Sequence, residues 1–360
     1  MDAEMASWKS TGTYVDAVPS SGASIVDGMW IFRVKWPPGS LPAFKWSLRR
    51  PVYGLRQAPR EWHDTLRTTL AALGFAPSTA DPSLFLRTDT SLPLFYVLVY
   101  VDDLVFPTAE TEALTLVKSE LQKRGTCTDL GELRSYLGLQ ITRDRARRTT
   151  TLTQSHTVHQ SVEPNGPYPK LVGCLMYLMT CTRPDLAYPL SLLARYVAPG
   201  RHRKVHWDAA KRVLHYLCST SGMGLVLGGR GPVVLTGHAD ASWVDDSAAQ
   251  RSSQGYTFSL GSGSVSWRST HSSSVLNSSC EAEIYARAMA AQELRWLTQL
   301  LTYLGEQPRS PPQRSQLRLA YVATRANTPD EFTKALPPGD HQRFSTMLGL
   351  VPNLPHLLTA

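Results

Sequence analysis

The chain has 360 residues, 42% of them hydrophobic and 18% charged, with a formal net charge of +8 at pH 7. That length suits two or three domains, and the absence of any apolar run of roughly 18 residues excludes a membrane span. The N-terminus lacks a secretory pattern and the five cysteines lack zinc spacing, so we expect an intracellular protein whose basic charge favours a polyanionic partner.

The N-terminal third alternates predicted strands and helices without a regular βαβ rhythm. Residues 29–36 (MWIFRVKW) predict a strand, and residues 61–75 predict a helix that stops near Gly74. Residues 95–106 (FYVLVYVDDLVF) predict a strand, a tight turn and a second strand. An amphipathic helix over 110–124 and a strand over 137–143 follow. This pattern favours the α+β class.

Two helices are predicted in the middle of the chain. The first, over 183–197, contains Pro189 and is either kinked or begins there. The second, over 201–220, has an apolar face of Val205, Ala209, Val213 and Leu217. Its other face carries basic side chains, which are either solvated or in contact with a nucleic-acid backbone. These basic residues are Arg201, Arg203, Lys204, Lys211, Arg212 and His215.

The last part of the chain reads as strands followed by a long helix. A strand over 231–243 carries Asp240, and a hairpin over 255–267 turns at 261–263. The helix over 278–304 has serines as N-cap candidates and acids in its first turn, where the macrodipole favours negative charge. A strand over 317–322 and a helix starting at Asp330 complete the pattern.

Two segments rich in Pro and Gly, residues 161–169 and 305–316, mark breaks between these blocks. With the element pattern they suggest an N-terminal block, a middle-to-late block and a short tail.

The stretch LVYVDDLVF (98–106) sets two acids side by side between apolar runs. One interpretation is that Asp102 and Asp103 are ordinary turn residues at an exposed hairpin tip. The other is that they hold divalent cations for phosphoryl chemistry, which would compensate their repulsion.

Several motifs occur in one order along nearly the whole chain. They are VYGLRQAPREW (52–62), YVDD (100–103), DLGELRSYLGLQI (129–141), TRPDLAYPLSLLARY (182–196), HADASW (238–243), SSCEAEIYA (278–286) and DEFTKAL (330–336). This series resembles the polymerase and ribonuclease H regions of copia-type retrotransposon polyproteins. The resemblance implies reverse-transcriptase fingers and palm over 1–160, a helical thumb or connection over 161–230, a ribonuclease H-like domain over 231–336 and a tail over 337–360.

The resemblance assigns the adjacent acids to the polymerase. Asp102 and Asp103 would be two of the three carboxylates that hold two Mg²⁺ ions, the cofactor of the intact family. Gln57 would lie beside the incoming nucleotide or template, and Arg60 shares its motif. Arg33 and Lys35 would face phosphates, or else are the polar side of an ordinary strand. The implied partners are RNA, DNA and RNA–DNA hybrid.

The resemblance also assigns catalytic and metal-ligating acids to the ribonuclease H part. Asp240 matches the first acid, Glu283 the acid in the first turn of the central helix, and Asp330 the final acid. Glu281 is a neighbouring alternative, and either glutamate could be a simple helix-start charge. Together the ordered acids suggest a vestigial metal site.

The chain departs from the family where further acids are required. Residues 28–60 contain no Asp or Glu, so the first polymerase aspartate and its strand are absent. No acid lies between Glu306 and Asp330, where the family has a third ribonuclease H aspartate. We therefore expect both activities to be lost, whether the gaps are true deletions or coding sequence removed as introns. The alternatives are a working enzyme and a co-opted nucleic-acid-binding or protein-interaction module.

Overall fold

A computed structural model of the chain describes residues 14–17, 45–48, 58–89, 94–108, 111–124, 127–155, 167–231, 234–246, 250–306 and 320–352. The chain divides into two compact units, Met1–Asp129 and Leu130–Ala360. Helices and mainly antiparallel strands occur in both units, which confirms the α+β class. The four-part domain division remains a prediction.

The first unit contains two antiparallel sheets. One pairs β1 with β2, and the other has the order β3-β4-β5-β6. Helices α1 and α2 bury Leu66, Leu70 and Leu121 in a cluster with Phe85 and Phe95. The elements are β1 (Tyr14–Ala17), β2 (Lys45–Leu48), α1 (Ala58–Ala72), β3 (Phe75–Pro77), β4 (Leu84–Arg87), β5 (Tyr96–Tyr100), β6 (Asp103–Val105) and α2 (Thr111–Arg124).

The predicted elements of this unit are confirmed where the structure describes them. Helix α1 ends two residues before Gly74, whose φ of +82° is a left-handed conformation that glycine adopts without strain. The hairpin of β5 and β6 and the helix α2 also lie where the patterns predict them. The strand predicted over 29–36 lies outside the described residues.

The second unit contains a five-stranded and a three-stranded sheet. Their strand orders are β14-β10-β9-β8-β7 and β11-β12-β13. The elements are β7 (Ser135–Tyr136), β8 (Leu139–Asp144), β9 (Thr149–Thr153), α3 (Tyr168–Cys181), α4 (Ala187–Ala194), α5 (Lys204–Ser219), β10 (Met223–Gly228), β11 (Leu235–Asp246), β12 (Arg251–Leu260), β13 (Gly263–His271), α6 (Ser279–Tyr303), α7 (Asp330–Thr333), α8 (Pro338–Met347) and β14 (Leu350–Pro352). The larger sheet thus joins strands from both sides of the break at 161–169.

Pro189 lies in the first turn of α4, which begins at Ala187 after a short 3₁₀ turn over Pro184–Leu186. A proline is tolerated in a first turn because its missing N–H would have no helical partner there. Helices α3, α4 and α5 then bury one apolar cluster, which includes Leu175 and Leu190. The sequence therefore located this helix correctly, and it begins close to the proline.

The predicted apolar face of α5 is partly wrong. Val205 is 60% exposed, whereas Ala210, Leu214 and Leu217 are buried. The buried stripe is rotated because the large ring of Trp207, rather than Val205, packs against the cluster formed with α3 and α4. A spacing of three and four residues fits either stripe, so periodicity alone could not choose between them.

The structure describes residues 320–322 of the strand predicted over 317–322, and these residues do not form a strand. Residues 320–322 are irregular, and Tyr321 is 92% exposed. An alternating pattern forms a strand only if a neighbouring strand pairs with its backbone, and the pairings described for this unit include none there. Helix α6, in contrast, begins as predicted: the Ser278 hydroxyl accepts a 3.1 Å hydrogen bond from the Glu281 N–H.

Candidate functional site

The acid hairpin, which we define as residues 96–105, ends in a two-residue turn. Tyr100 pairs with Asp103, and Val101 and Asp102 form the turn between β5 and β6. The side chains of Asp102 and Asp103 are exposed. Water therefore screens their repulsion, and the two carboxylates at the tip need no buried counter-charge.

The backbone at the tip of the acid hairpin is unusual. Val101 has a φ of +54°, which is uncommon for a β-branched residue. The indole N–H of Trp62, on α1, donates a 2.6 Å hydrogen bond to the Val101 carbonyl oxygen. No local sequence pattern indicates this contact, because 39 residues separate its partners.

The predicted nucleic-acid contacts of the first unit fall mostly outside the described residues. Arg33, Lys35 and Gln57 all lie there. Arg60 is exposed in the first turn of α1, and its Nε lies 4.0 Å from the Asp64 carboxylate. Because both side chains are largely solvated, this ion pair leaves the guanidinium accessible.

The second candidate site is the acid cluster, which we define as Asp240, Glu283 and Asp330. Asp240 lies on β11 opposite Gly255, Glu283 near the start of α6, and Asp330 at the first position of α7. Burial raises the pKa of the Asp240 carboxyl to about 6, with smaller contributions from the negative charges of Asp330 and Glu283. The three acids predicted from separate motifs are therefore electrostatic neighbours.

Protein donors occupy the carboxylate oxygens of Asp240. The Asn327 side-chain amide donates to Oδ1 at 3.0 Å, and the Thr333 hydroxyl donates to Oδ2 at 2.5 Å. The bond from Thr333 opposes the rise in the Asp240 pKa, as does the positive charge of Lys334. Both donors lie on or beside α7, so the carboxylate fastens that short helix to β11.

The other two acids each have a cation one helical turn further along. Lys334 Nζ lies 2.9 Å from Asp330 Oδ2, and Arg287 donates to Glu283 Oε2 at 3.3 Å. Both pairs have i,i+4 spacing, a signal present in the sequence. The neighbouring Glu281 instead accepts a 2.7 Å hydrogen bond from the Asn277 N–H at the start of α6.

A two-metal centre needs several carboxylate oxygens that converge on the ions, and an oxygen that accepts one hydrogen bond can still be a ligand. Both oxygens of Asp240 already accept protein hydrogen bonds. Among the described residues, no group of three or more His, Cys, Asp or Glu is arranged to hold a metal ion. In the other candidate site, the acid hairpin, the two carboxylates are adjacent in the sequence and exposed.

Helix α5 and the residues just before it present an exposed basic surface, which we call the basic surface of α5. Arg201, Arg203, Lys204, Arg212 and His215 have exposed side chains, and Lys211 lies over the Trp207 ring at 5.4 Å. Within the described parts of the chain, none of these six residues forms an ion pair. This surface therefore keeps its positive charge available for an external anion.

None of the helices that the structure describes combines the length and the apolar character that crossing a bilayer requires.

Comparison with known proteins identifies the class to which this chain is similar. A family model described as reverse transcriptase (RNA-dependent DNA polymerase) matches residues 25–166. The Pol polyprotein from transposon RE2 of Arabidopsis thaliana is 31% identical over 88% of this chain and 26% of its own length. That from transposon TNT 1-94 of Nicotiana tabacum is 31% identical over 72% of this chain and 22% of its own length.

A shorter relative is covered almost completely. The putative transposon Ty5-1 protein of Saccharomyces cerevisiae is 31% identical over 72% of this chain and 94% of its own length. The chain therefore belongs to the reverse transcriptase family of copia-type transposon polyproteins. It spans about a quarter of the length of the plant polyproteins it matches. No solved structure matches it.

The alignment to the RE2 polyprotein is longer than this chain. It extends over 382 positions, whereas the aligned 88% of 360 residues is about 317 residues. About 65 aligned positions of the relative, the difference between 382 and 317, therefore face gaps in this chain. The gaps are internal, because an alignment begins and ends at matched residues.

Proposed function

We propose that this chain is a reverse transcriptase and ribonuclease H segment that binds nucleic acid and has lost both catalytic activities. The observation that carries the proposal is the absence of acids where the family resemblance requires them: residues 28–60 and residues 307–329 contain no Asp or Glu. The Asp240 carboxylate that remains accepts hydrogen bonds from the protein at both oxygens, which hold α7 against β11.

The polymerase half is proposed to be inactive because its acids are incomplete. Asp102 and Asp103 are two of the three carboxylates that the family resemblance implies, and residues 28–60 contain no Asp or Glu. The aligned positions missing from this chain are consistent with loss of the segment that carries the third acid. Without it the two ions lose their fixed spacing, and misplacement by about 1 Å can cost on the order of 100-fold in rate.

The ribonuclease H-like half is proposed on the order of its acids and elements. A three-stranded antiparallel sheet is followed by the long helix α6, with Asp240 on the first strand and Glu283 near the helix start. The third acid that the resemblance requires is missing, since residues 307–329 contain no Asp or Glu. The absence of this third acid supports a vestigial, inactive site. The cations that pair with Glu283 and Asp330 support the same interpretation.

Retained binding is proposed for the basic surface of α5. Its basic side chains, apart from the half-buried Lys211, are exposed and lack internal ion pairs within the described residues, so contact with phosphates would release counterions without breaking an ion pair. RNA–DNA hybrid is the ligand that the family resemblance implies. Mg²⁺ would be needed by the intact family, and we propose that this chain binds nucleic acid without it.

Primer extension on an RNA template with Mg²⁺ tests the loss of polymerase activity. We expect the natural chain to extend no more primer than a variant with Asp102→Asn and Asp103→Asn. Extension by the natural chain that disappears in this double variant would overturn the proposal. Hybrid binding is tested separately, without Mg²⁺, and its absence at low salt would overturn the binding part.

A protein-interaction role on the same scaffold is the alternative. It is favoured by the exposed apolar side chains of Ile284 and Tyr285 on α6. Limited proteolysis tests whether the scaffold folds stably. We expect a resistant fragment that begins near residue 130, because β8 and β9 pair within the sheet of the second unit. Uniform digestion would exclude a stable scaffold.

A further inference from the structure

Trp62 contacts the tip of the acid hairpin at the one residue with an unfavourable backbone conformation. Its indole N–H donates to the carbonyl oxygen of Val101, whose φ is +54°. In that region the Cβ of an L-residue crowds the following carbonyl group, and a β-branched residue suffers most. The conformation persists only if surrounding contacts hold it.

The register of α1 on its sheet explains why Trp62 reaches this point. Leu66 and Leu70 of α1 pack in one cluster with Val97 and Val99 of β5. Trp62 precedes Leu66 by four residues, about 6 Å along a helix, and Val101 follows Val99 by two residues, about 7 Å along a strand. The packing that buries the leucines therefore brings the indole to the end of the hairpin.

Burial does not force this hydrogen bond. The Trp62 side chain is 41% exposed, so its N–H could bond to water at little cost. The indole is nevertheless directed at a main-chain carbonyl next to the two acids. Asp102 and Asp103 directly follow Val101, so the peptide that Trp62 contacts belongs to the backbone from which both carboxylates project.

We propose that Trp62 is a positioning residue of the acid hairpin: its indole N–H holds Val101 in the left-handed conformation and so orients Asp102 and Asp103. This inference rests on the assignment of the hairpin to the polymerase part of the family. It concerns the geometry of the chain alone, and it predicts that the anchor persists although the catalytic set is incomplete.

Amide hydrogen exchange of residues 96–106 in the whole chain, without metal or nucleic acid, tests the proposal. Trp62→Phe keeps an aromatic ring and removes the donor, and we expect exchange at the tip to accelerate by about 2- to 13-fold, the effect of one net hydrogen bond. Trp243→Phe is the matched control, because Trp243 donates a 3.0 Å bond to the Leu276 carbonyl in the second unit. It should leave exchange at the tip unchanged.

Val101→Gly distinguishes positioning from simple packing. Glycine adopts a positive φ without strain, so the hairpin should no longer need the donor. We expect Val101→Gly to slow exchange at the tip and to restore natural rates when combined with Trp62→Phe. A packing role for the ring would show no such rescue.

Unchanged exchange in Trp62→Phe would overturn the proposal, and so would a lack of rescue by Val101→Gly. If Trp62→Phe accelerates exchange in residues 111–124 as much as at the tip, the substitution has destabilised the whole unit. The single variant Val101→Gly then decides, and exchange at the tip that does not slow in this variant would overturn the proposal. Primer extension and hybrid binding are not part of this measurement. Failure here is therefore distinct from failure of the proposed function.

Discussion

The hydroxyl of Thr333 donates a 2.5 Å hydrogen bond to Asp240 from a helix 93 residues further along the chain. Helix α7 has only four residues, too few for a stable helix in isolation. Its place on β11 therefore depends on side-chain contacts, and the Asp240 carboxylate supplies one of them. An acid that the family resemblance assigns to metal chemistry here has a structural contact.

Thr333→Val tests this contact. The substitution keeps the shape of the side chain and leaves Asp240 Oδ2 without its donor, so we expect a loss of about 1–3 kcal/mol in the free energy of unfolding. Thr302→Val is the control, because the Thr302 hydroxyl bonds only to a carbonyl within the exposed surface of α6. Denaturant unfolding should separate the two variants, and equal stabilities would show that the Asp240 contact contributes nothing.

The local elements around both candidate sites were predictable, whereas their partners were not. Helix α1, the acid hairpin and α6 follow from periodicity and from cap and turn residues, which are local signals. The contacts of Asn327 with Asp240 and of Trp62 with Val101 join residues 87 and 39 positions apart. No periodic pattern encodes them, because they depend on how the elements pack.

The dependence on packing also explains the two wrong predictions, which concern the buried face of α5 and the strand over 317–322. Val205 lies on a stripe with acceptable helical spacing, but the position of Trp207 against α3 and α4 decides which stripe is buried. The alternation over 317–322 is a good strand pattern, but a strand also needs a partner. The acids Asp240, Glu283 and Asp330 could be placed together only through the resemblance, since their spacing alone specifies no geometry.

His341 should make stability depend on pH. Its Nδ1 lies 2.6 Å from the buried Glu331 carboxylate, and this hydrogen bond raises the pKa of the His341 imidazole. Asp185 raises it further, while burial and Arg183 lower it. Because the folded pKa exceeds the unfolded value, the stabilisation is complete below about pH 6.5 and is lost as pH rises through the folded pKa.

His341→Gln should therefore lower the free energy of unfolding more at pH 6 than at pH 9. We expect a loss of about 2 kcal/mol at pH 6, because one charged hydrogen bond is lost there. Thermal unfolding across this range measures the difference. In a Glu331→Gln background the pH dependence of the His341 substitution should become much smaller, because the largest contribution to the raised pKa is lost and only that of Asp185 remains. A difference that is the same at both pH values would contradict the assignment.

Gly263 should not tolerate a side chain. A Cβ at this position would lie 2.1 Å from the Val226 carbonyl oxygen, where β13 begins beside β10. We expect Gly263→Ala to lower the free energy of unfolding by about 1–3 kcal/mol, because backbone on both sides must shift. Gly173→Ala is the control: its Cβ meets nothing within 4 Å, and alanine in α3 should stabilise by about 1 kcal/mol. Equal effects at the two positions would show that the close approach is absent.

The basic surface of α5 should determine how hybrid binding responds to salt. Each phosphate contact contributes about −0.9 to the slope of log affinity against log salt concentration for a B-form duplex, and less for other forms. A variant with Lys204→Glu and Arg212→Glu removes two exposed cations, so we expect weaker binding and a slope reduced by up to about two units. A control with Lys123→Glu and Arg145→Glu makes the same change in net charge at cations that already pair with Glu120 and Glu132. If both variants reduce the slope equally, general charge rather than this helix attracts the hybrid; if only the α5 variant does, the helix is the contact surface.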